Sequence, residues 1–257
     1  MRRLLAIAAP SLALAALGPV LWALGALPAV WAAIIAGFGG LTLLVGLVAA
    51  SALPQLEVWG PAILRGPADP PRVALTFDDG PDPASTPALL MALEQAGARA
   101  TFFVLLDRAE QHPTLLRAIA QRHEVALHGP SHHPGLVFED PVAGAATLGA
   151  ARARIAVLCG REPRWYRPPF GVTSPRLARA VATAGLRTVW CSLRTLDGVL
   201  NDPARLRRAC ARAVAGDIVL LHEGRRAAAA ALPVILADLR ARGLTPTTVG
   251  ALLERTP

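Results

Sequence analysis

Two patterns of hydrophobic residues divide the chain. From Leu4 to Leu56 apolar residues run on without a charge, and the first acid is Glu57. From Val73 onward, short apolar runs alternate with longer stretches bounded by Pro and Gly. A bilayer crossing takes roughly 20 apolar residues, so the first stretch, roughly fifty long, holds two. They are Leu4–Leu24 and Ala29–Ala52, broken at Gly25-Ala26-Leu27-Pro28. The apolar part of a cleaved signal peptide is only about 7–15 residues. The pattern therefore predicts a transmembrane anchor over residues 1–56, built as a hairpin of two helices. A linker over residues 57–72 follows, with Pro61, Pro67, Pro70 and Pro71, and with Trp59 placed for the membrane interface.

Residues 73–257 repeat a strand–helix unit. Val73–Phe77 reads as a strand, and Thr86–Gln95 as a helix with Pro87 in its first turn and Gly97 past its end. Strand Ala100–Leu105, helix Pro113–Arg122, strand Glu124–Leu127 and the alanine-rich helix Pro141–Leu158 continue the rhythm. Strand Trp165–Arg167 comes next, then a helix opened by Ser174-Pro175 and strand Leu186–Ser192. A helix opened by Asp202-Pro203 leads to strand Asp217–Leu221. Helix Ala227–Arg240, a short strand at Leu244–Pro246 and helix Val249–Glu254 complete it. Such alternation means parallel strands joined by crossover helices, and roughly seven repeats predict an α/β fold, a distorted (β/α) barrel. No glycine-rich phosphate loop follows the first strand, which weighs against a nucleotide fold.

Composition adds little that is specific. The formal charge of +8 comes wholly from arginine, and with alanine so abundant it points to codon usage rather than recognition. Arg205, Arg207, Arg208 and Arg212 fall at helical spacing with no interleaved aromatics, so no nucleic-acid platform is expected. A solvated basic face of this kind is attracted to anionic headgroups. Cys159, Cys191 and Cys210 have no pairing pattern and read as buried structural thiols.

The chemistry gathers where a β/α barrel carries it, at the C-terminal ends of strands. The first strand ends in Asp78-Asp79-Gly80-Pro81, two carboxylates at the edge of an apolar run. Burying both is costly unless each has a partner, and alternation along the strand gives them different surroundings. The third strand ends in His128-Gly-Pro-Ser-His132, with His133 next, and the fourth in Arg167-Pro168-Pro169-Phe170-Gly171. Asp197 follows the strand at Leu186–Ser192, and His222 ends the strand at Asp217–Leu221. Any one of these alone is an ordinary surface turn or core histidine; five in one β/α chain are not. Two imidazoles four positions apart can meet one cation, and a carboxylate from another strand makes three ligands with a position left open. A second carboxylate can then take a proton from water, and a histidine across the site can protonate a leaving group.

With these residues in hand, the chain resembles the polysaccharide deacetylases, the NodB-like metal-dependent carbohydrate esterases. Thr76-Phe-Asp-Asp-Gly-Pro81, His128-x-x-x-His132, Arg167-Pro-Pro-Phe170, Asp197 and Leu220-Leu-His222 stand in that family's order, over about residues 71–250. The resemblance implies a barrel that removes acetyl groups from sugar polymers. It implies Asp78 as catalytic base, Asp79, His128 and His132 as metal ligands, and Arg167 as the residue that holds the base. His222 is implied as general acid with Asp197 orienting it, Leu220 as a wall of the methyl pocket, and Pro169 and Phe170 as substrate contacts. The metal implied is divalent, zinc first, although cobalt, nickel or iron suits the same donors. Three positions depart from the family pattern: Arg194 stands where an acid is usual, Gly198 where an aromatic follows the Asp, and Gly129 where Ser or Thr follows the first histidine. Gly198 is expected to open one wall of the groove.

The function so implied is a membrane-anchored hydrolase of carbon–nitrogen bonds that deacetylates amino sugars of a cell-envelope polysaccharide. Alternatives are a deacetylase or deformylase of a lipid-linked sugar precursor, an O-acetyl esterase, or a non-catalytic glycan-binding barrel. The expected partners are the acetylated glycan or lipid-linked sugar and a membrane, the inner or cytoplasmic membrane of a bacterium. Arg2 and Arg3 favour a cytoplasmic N-terminus. Two crossings return residues 57–257 to that side, whereas one crossing carries them across.

Overall fold

A computed structural model describes residues 2–53 and 56–254. Helices α1 (Arg2–Ala23) and α2 (Ala29–Ala52) form an antiparallel hairpin, and both are long and apolar enough to cross a membrane. Small residues let the pair approach closely. A Cβ at Gly18 would lie 2.2 Å from the Ala32 carbonyl oxygen, and one at Gly39 would lie 2.4 Å from the Ala15 nitrogen. Trp22, Ile34 and Phe38 point outward. Arg3 pairs with Glu57 at 2.5 Å, which brings the start of α1 to the chain leaving α2.

The barrel is a curled, wholly parallel sheet wrapped by helices. Its strands are β1 (Arg72–Gly80), β2 (Thr101–Leu105), β3 (Glu124–Gly129), β4 (Trp165–Tyr166), β5 (Arg187–Thr188), β6 (Leu193–Arg194), β7 (Ile218–His222) and β8 (Thr245–Thr247). They run in the order β5-β4-β3-β2-β1-β7-β6, with β8 beside β1. The helices are α3 (Thr86–Gln95), α4 (Leu106–Gln111), α5 (Pro113–Arg122), α6 (Pro141–Cys159), α7 (Pro175–Thr183), α8 (Pro203–Cys210), α9 (Arg226–Ala241) and α10 (Val249–Leu253). Asp140, Ser174, Asp202 and Thr248 cap α6, α7, α8 and α10 by accepting from backbone N–H groups. Helix α6 is also apolar and long, but its buried Leu148, Ala151 and Ile155 belong to the barrel core.

Two expectations are corrected. The single strand expected at Leu186–Ser192 is two short strands, β5 pairing with β4 and β6 with β7, at opposite ends of the sheet. Between them Val189, Trp190 and Cys191 turn inward to fill the barrel, and the opening is closed by residues ahead of it. Ile63 bridges Val189 in parallel and Arg65 bridges Asp217 in antiparallel fashion. Arg65 is also ion-paired to Asp217 at 2.9 Å. Prolines at 61, 67, 70 and 71 lack an N–H, so this segment pairs at isolated points rather than as a strand. The second correction is α4, a short helix that the apolar pattern did not announce.

Alternation along the strands makes two layers. Val73, Leu75 and Phe77, with Phe102, Val104, Val125, Leu127, Val219 and Leu221, face the helices. The opposite positions face the barrel interior: Ala74, Phe103, Ala126, Ile218 and Leu220. The same period carries Thr76 and Asp78 on β1, His128 on β3 and His222 on β7 to the interior at the C-terminal mouth.

Candidate active site

The two acids of β1 are separated by a bulge. The strand pairs Asp78 with Phe103 and Gly80 with Val104, so Asp79 is the extra residue, held at φ 73. A bulged residue re-aims its side chain, and a non-glycine residue at positive φ costs on order of 1–3 kcal/mol. Gly80 must be glycine for another reason, since a Cβ there would lie 2.2 Å from the Glu223 carboxyl group.

Asp78 is buried and ion-paired through Oδ1 to Arg167 at 2.7 Å, the arginine being 1% exposed. The guanidinium fills its remaining valences within the barrel. It donates to Thr76 Oγ1 (2.8 Å), the Trp190 carbonyl (2.8 Å) and the Val189 carbonyl (3.3 Å), and lies 4.1 Å over the Phe103 ring. Asp78, Thr76 and two backbone carbonyls thus satisfy Arg167, while Arg194 lies 5.4 Å from the Trp190 ring at the cavity wall.

Asp79 faces two imidazoles. Its Oδ1 lies 3.3 Å from Nε2 of both His128 and His132, and the three donor atoms lie within 4.8 Å of one another. Nδ1 of His128 lies 2.8 Å from the Arg167 carbonyl, which can only accept, so Nδ1 carries the proton and Nε2 presents a lone pair to Asp79. Asp79 Oδ1 is buried with no hydrogen-bond donor among the described residues. An unpartnered carboxylate oxygen facing two imidazole nitrogens is what a divalent cation would satisfy, so these residues fit one. Burial raises the Asp79 carboxyl; were the imidazoles protonated instead, the hydrogen bond and charge of His128, with smaller contributions from His222 and His132, would bring it down to about 2. Gly129, at φ 135, makes the turn between the two histidines. His133 stands apart, its Nδ1 accepting from the Gly135 N–H at 3.0 Å.

On the other side of Asp78, in register with it on the neighbouring strand, is His222. Its Nδ1 donates to Asp197 Oδ1 at 2.8 Å and its backbone N–H to Oδ2 at 2.9 Å. Burial lowers the His222 pKa, but the Asp197 hydrogen bond and the charges of Asp78, Asp197 and Asp79 outweigh it and raise it above the ordinary value. The Thr195 hydroxyl lies 2.8 Å from Asp197 Oδ1 and 2.7 Å from the Leu220 carbonyl oxygen.

All of this opens into a cavity of about 320 Å³ whose lining includes Asp78, Asp79, His128, His132, His222 and Leu220. Phe170, at φ 57, sets its ring 4.3 Å from that of His132. Pro169 does not line the cavity; it is buried beside Gly129, and Pro168 takes the lining position. Gly198 does line it, but the backbone there closes on the acid pair: a Cβ would lie 3.0 Å from the His222 ring. Sequence reasoning named Thr76 only as part of a motif and gave no role to it, to Thr195 or to Glu223. Thr76 and Thr195 were legible as polar residues two positions from Asp78 and Asp197. Glu223 was not, because its partners are the Asp82 N–H in the loop after β1 and the Thr86 hydroxyl at the start of α3, far from it in sequence.

The family model for polysaccharide deacetylase matches residues 65–189. A Bacillus cereus peptidoglycan-N-acetylglucosamine deacetylase is 31% identical over 213 residues, 78% of this chain and 96% of its own length. A Bradyrhizobium chitooligosaccharide deacetylase is 36% identical over 154 residues, 59% of this chain and 70% of its own. The solved structure of a family 4 carbohydrate esterase from Streptomyces lividans, in complex with acetate, superposes with TM-score 0.65 at 31% identity, covering 69% of this chain and 92% of that one.

Proposed function

The chain belongs to the polysaccharide deacetylase family, and from that premise we propose that it hydrolyses the N-acetyl group of N-acetylglucosamine units in an envelope glycan. Peptidoglycan and chitooligosaccharide, named for the two relatives, are the substrates this reading favours. One observation carries it. The adjacent carboxylates of β1 enter one cavity with separate partners, Asp78 on Arg167 and Asp79 on two imidazoles.

In this reading Asp79, His128 and His132 hold a divalent cation, zinc first. When bound, such a cation polarises the acetyl carbonyl as a Lewis acid. Asp78 accepts the proton of the attacking water, and Arg167 fixes the carboxylate in place. As the tetrahedral centre collapses, His222 donates its Nε2 proton to the departing nitrogen, which leaves as an amine. Asp197, accepting from Nδ1, keeps that ring oriented and stabilises its protonated form. Leu220 bounds the acetyl methyl, and Phe170 with Trp190 offers apolar surface to the sugar. Residues 1–56 serve as the membrane anchor, 57–72 as the connector and 73–257 as the catalytic barrel.

The test is stoichiometric. Metal-loaded protein acting on N-acetylated chitooligosaccharide should yield acetate and free amine in equal amounts. Protein that binds glycan and metal yet yields neither product would show the barrel to be a binding module.

A further inference from the structure

The catalytic mouth is tied to the end of the membrane hairpin. The chain after β4 carries Arg167, then Phe170 against His132, then Thr173, whose N–H donates to the Ser51 carbonyl in the last turn of α2 at 2.9 Å. The last carbonyls of a helix lack partners within it, so this bond uses one left bare where α2 ends. The Trp59 indole N–H donates to Ser51 Oγ at 3.2 Å and closes the junction. Thr173 is three residue steps beyond Phe170, at most about 11 Å of chain. A headgroup layer is about 5–8 Å deep, so the cavity opens close to where α2 leaves the bilayer.

Two further observations point the same way. Exposed apolar side chains lie beyond the strand ends: Phe138 in the loop after β3 and Val142 in the first turn of α6, Phe170 after β4, and Leu196 and Val199 after β6. Single exposed apolar residues are ordinary, but several around one mouth beside a membrane helix make an interfacial rim. A second cavity, of about 530 Å³, runs from Ala50 of α2 past Trp59, Ile63 and Leu186 to Pro168, which also lines the catalytic cavity. Arg194 and Arg225 line the catalytic cavity, and the arginine fork suits phosphate.

Resting on the deacetylase reading above and on its membrane anchor, we propose that the site takes its sugar from a membrane-borne carrier, an N-acetylated amino sugar joined through phosphate to a long-chain lipid. The rim seats in the headgroup layer, the arginines meet the phosphate, and the second cavity receives part of the lipid chain.

Full-length metal-loaded protein in phospholipid vesicles tests this with three probes. They are N-acetylglucosaminyl diphosphoryl polyprenol in the same vesicles, the sugar diphosphate without its lipid, and N-acetylated chitooligosaccharide. The vesicle-borne sugar should be hydrolysed with kcat/KM at least about tenfold above either soluble probe, through the raised local concentration. The double variant Phe138→Glu with Val142→Glu, outside the cavity, should remove most of that advantage and leave the soluble rates unchanged. Equal rates on all three probes, or an advantage the double variant does not reduce, would overturn the proposal and leave deacetylation standing. No acetate from any probe would overturn both.

Discussion

Replacing Asp197 with Asn changes one atom's chemistry and should disable the acid without disturbing the base. Asp197 is 1% exposed and accepts from both His222 Nδ1 (2.8 Å) and the His222 backbone N–H (2.9 Å). An amide can satisfy only one of these. With its oxygen toward the ring, its NH₂ meets the backbone N–H, and an unmade buried hydrogen bond costs about 1–3 kcal/mol. With its oxygen toward the backbone, its NH₂ faces Nδ1, which must then be bare. That second arrangement should win, and it removes the proton and the charge that sustain protonated His222. General acid catalysis supplies about 10²–10⁴ in rate, so kcat on an N-acetyl amino sugar should fall by that factor, about 3–5 kcal/mol of barrier. An aryl acetate, whose leaving group needs no proton, should lose less than about tenfold under the same reasoning. Acetate release from both substrates, with bound metal measured alongside, is the assay. Equal losses on the two substrates at full metal content would refute the assignment of His222 as acid.

The remaining predictions follow from the same geometry. His222 is raised from 6.5, so the working acid form persists to higher pH than for a free imidazole, and the alkaline limb of kcat against pH should lie above 6.5 and move down in Asp197→Asn. Burial pushes Glu223 from 4.5 to about 8, partly offset by the Thr86 and Asp82 hydrogen bonds, so its contribution to stability is fully present below 4.5 and lost as pH rises through 8. Glu223→Gln should flatten urea midpoints across that window, and parallel slopes for the two proteins would count against it. Chelation should abolish acetate release, Zn²⁺ should restore it, and the metal at 100 times its Kd should stabilise the fold by about 2.7 kcal/mol in melting experiments. Gly198→Ala places a methyl 3.0 Å from a ring that Asp197 holds fast, so kcat should drop several-fold with little change in KM, read in steady-state kinetics.

Much of this was legible in local pattern because strands alternate with period two and helices announce their ends. Val73–Phe77 and Leu220–His222 showed both the apolar layer and the chemistry at its edge, and Pro113–Arg122 and Ala29–Ala52 match the expected helices at both ends. What stayed hidden depends on residues far apart in the chain. The break between β5 and β6 arises because Ile63 and Arg65 fill the opening, contacts that no local window contains. The divergence of Asp78 and Asp79 was expected from alternation alone, but it is completed by a bulge that holds Asp79 at φ 73. Gly198, expected to open one wall of the groove, lines the cavity, and no local pattern showed that a Cβ there would also lie 3.0 Å from the His222 ring.

The most direct test of the account compares the full chain with its Asp78→Asn variant, both loaded with zinc and both acting on N-acetylated chitooligosaccharide. The account predicts acetate and free amine from the parent, a loss of at least about 10²-fold in kcat for the variant, and equal bound zinc in the two. Because Arg167 then faces a neutral amide, some loss of stability should accompany the change, so the comparison belongs well below the melting point. Undiminished acetate release by Asp78→Asn, or none from zinc-loaded parent protein, would contradict it.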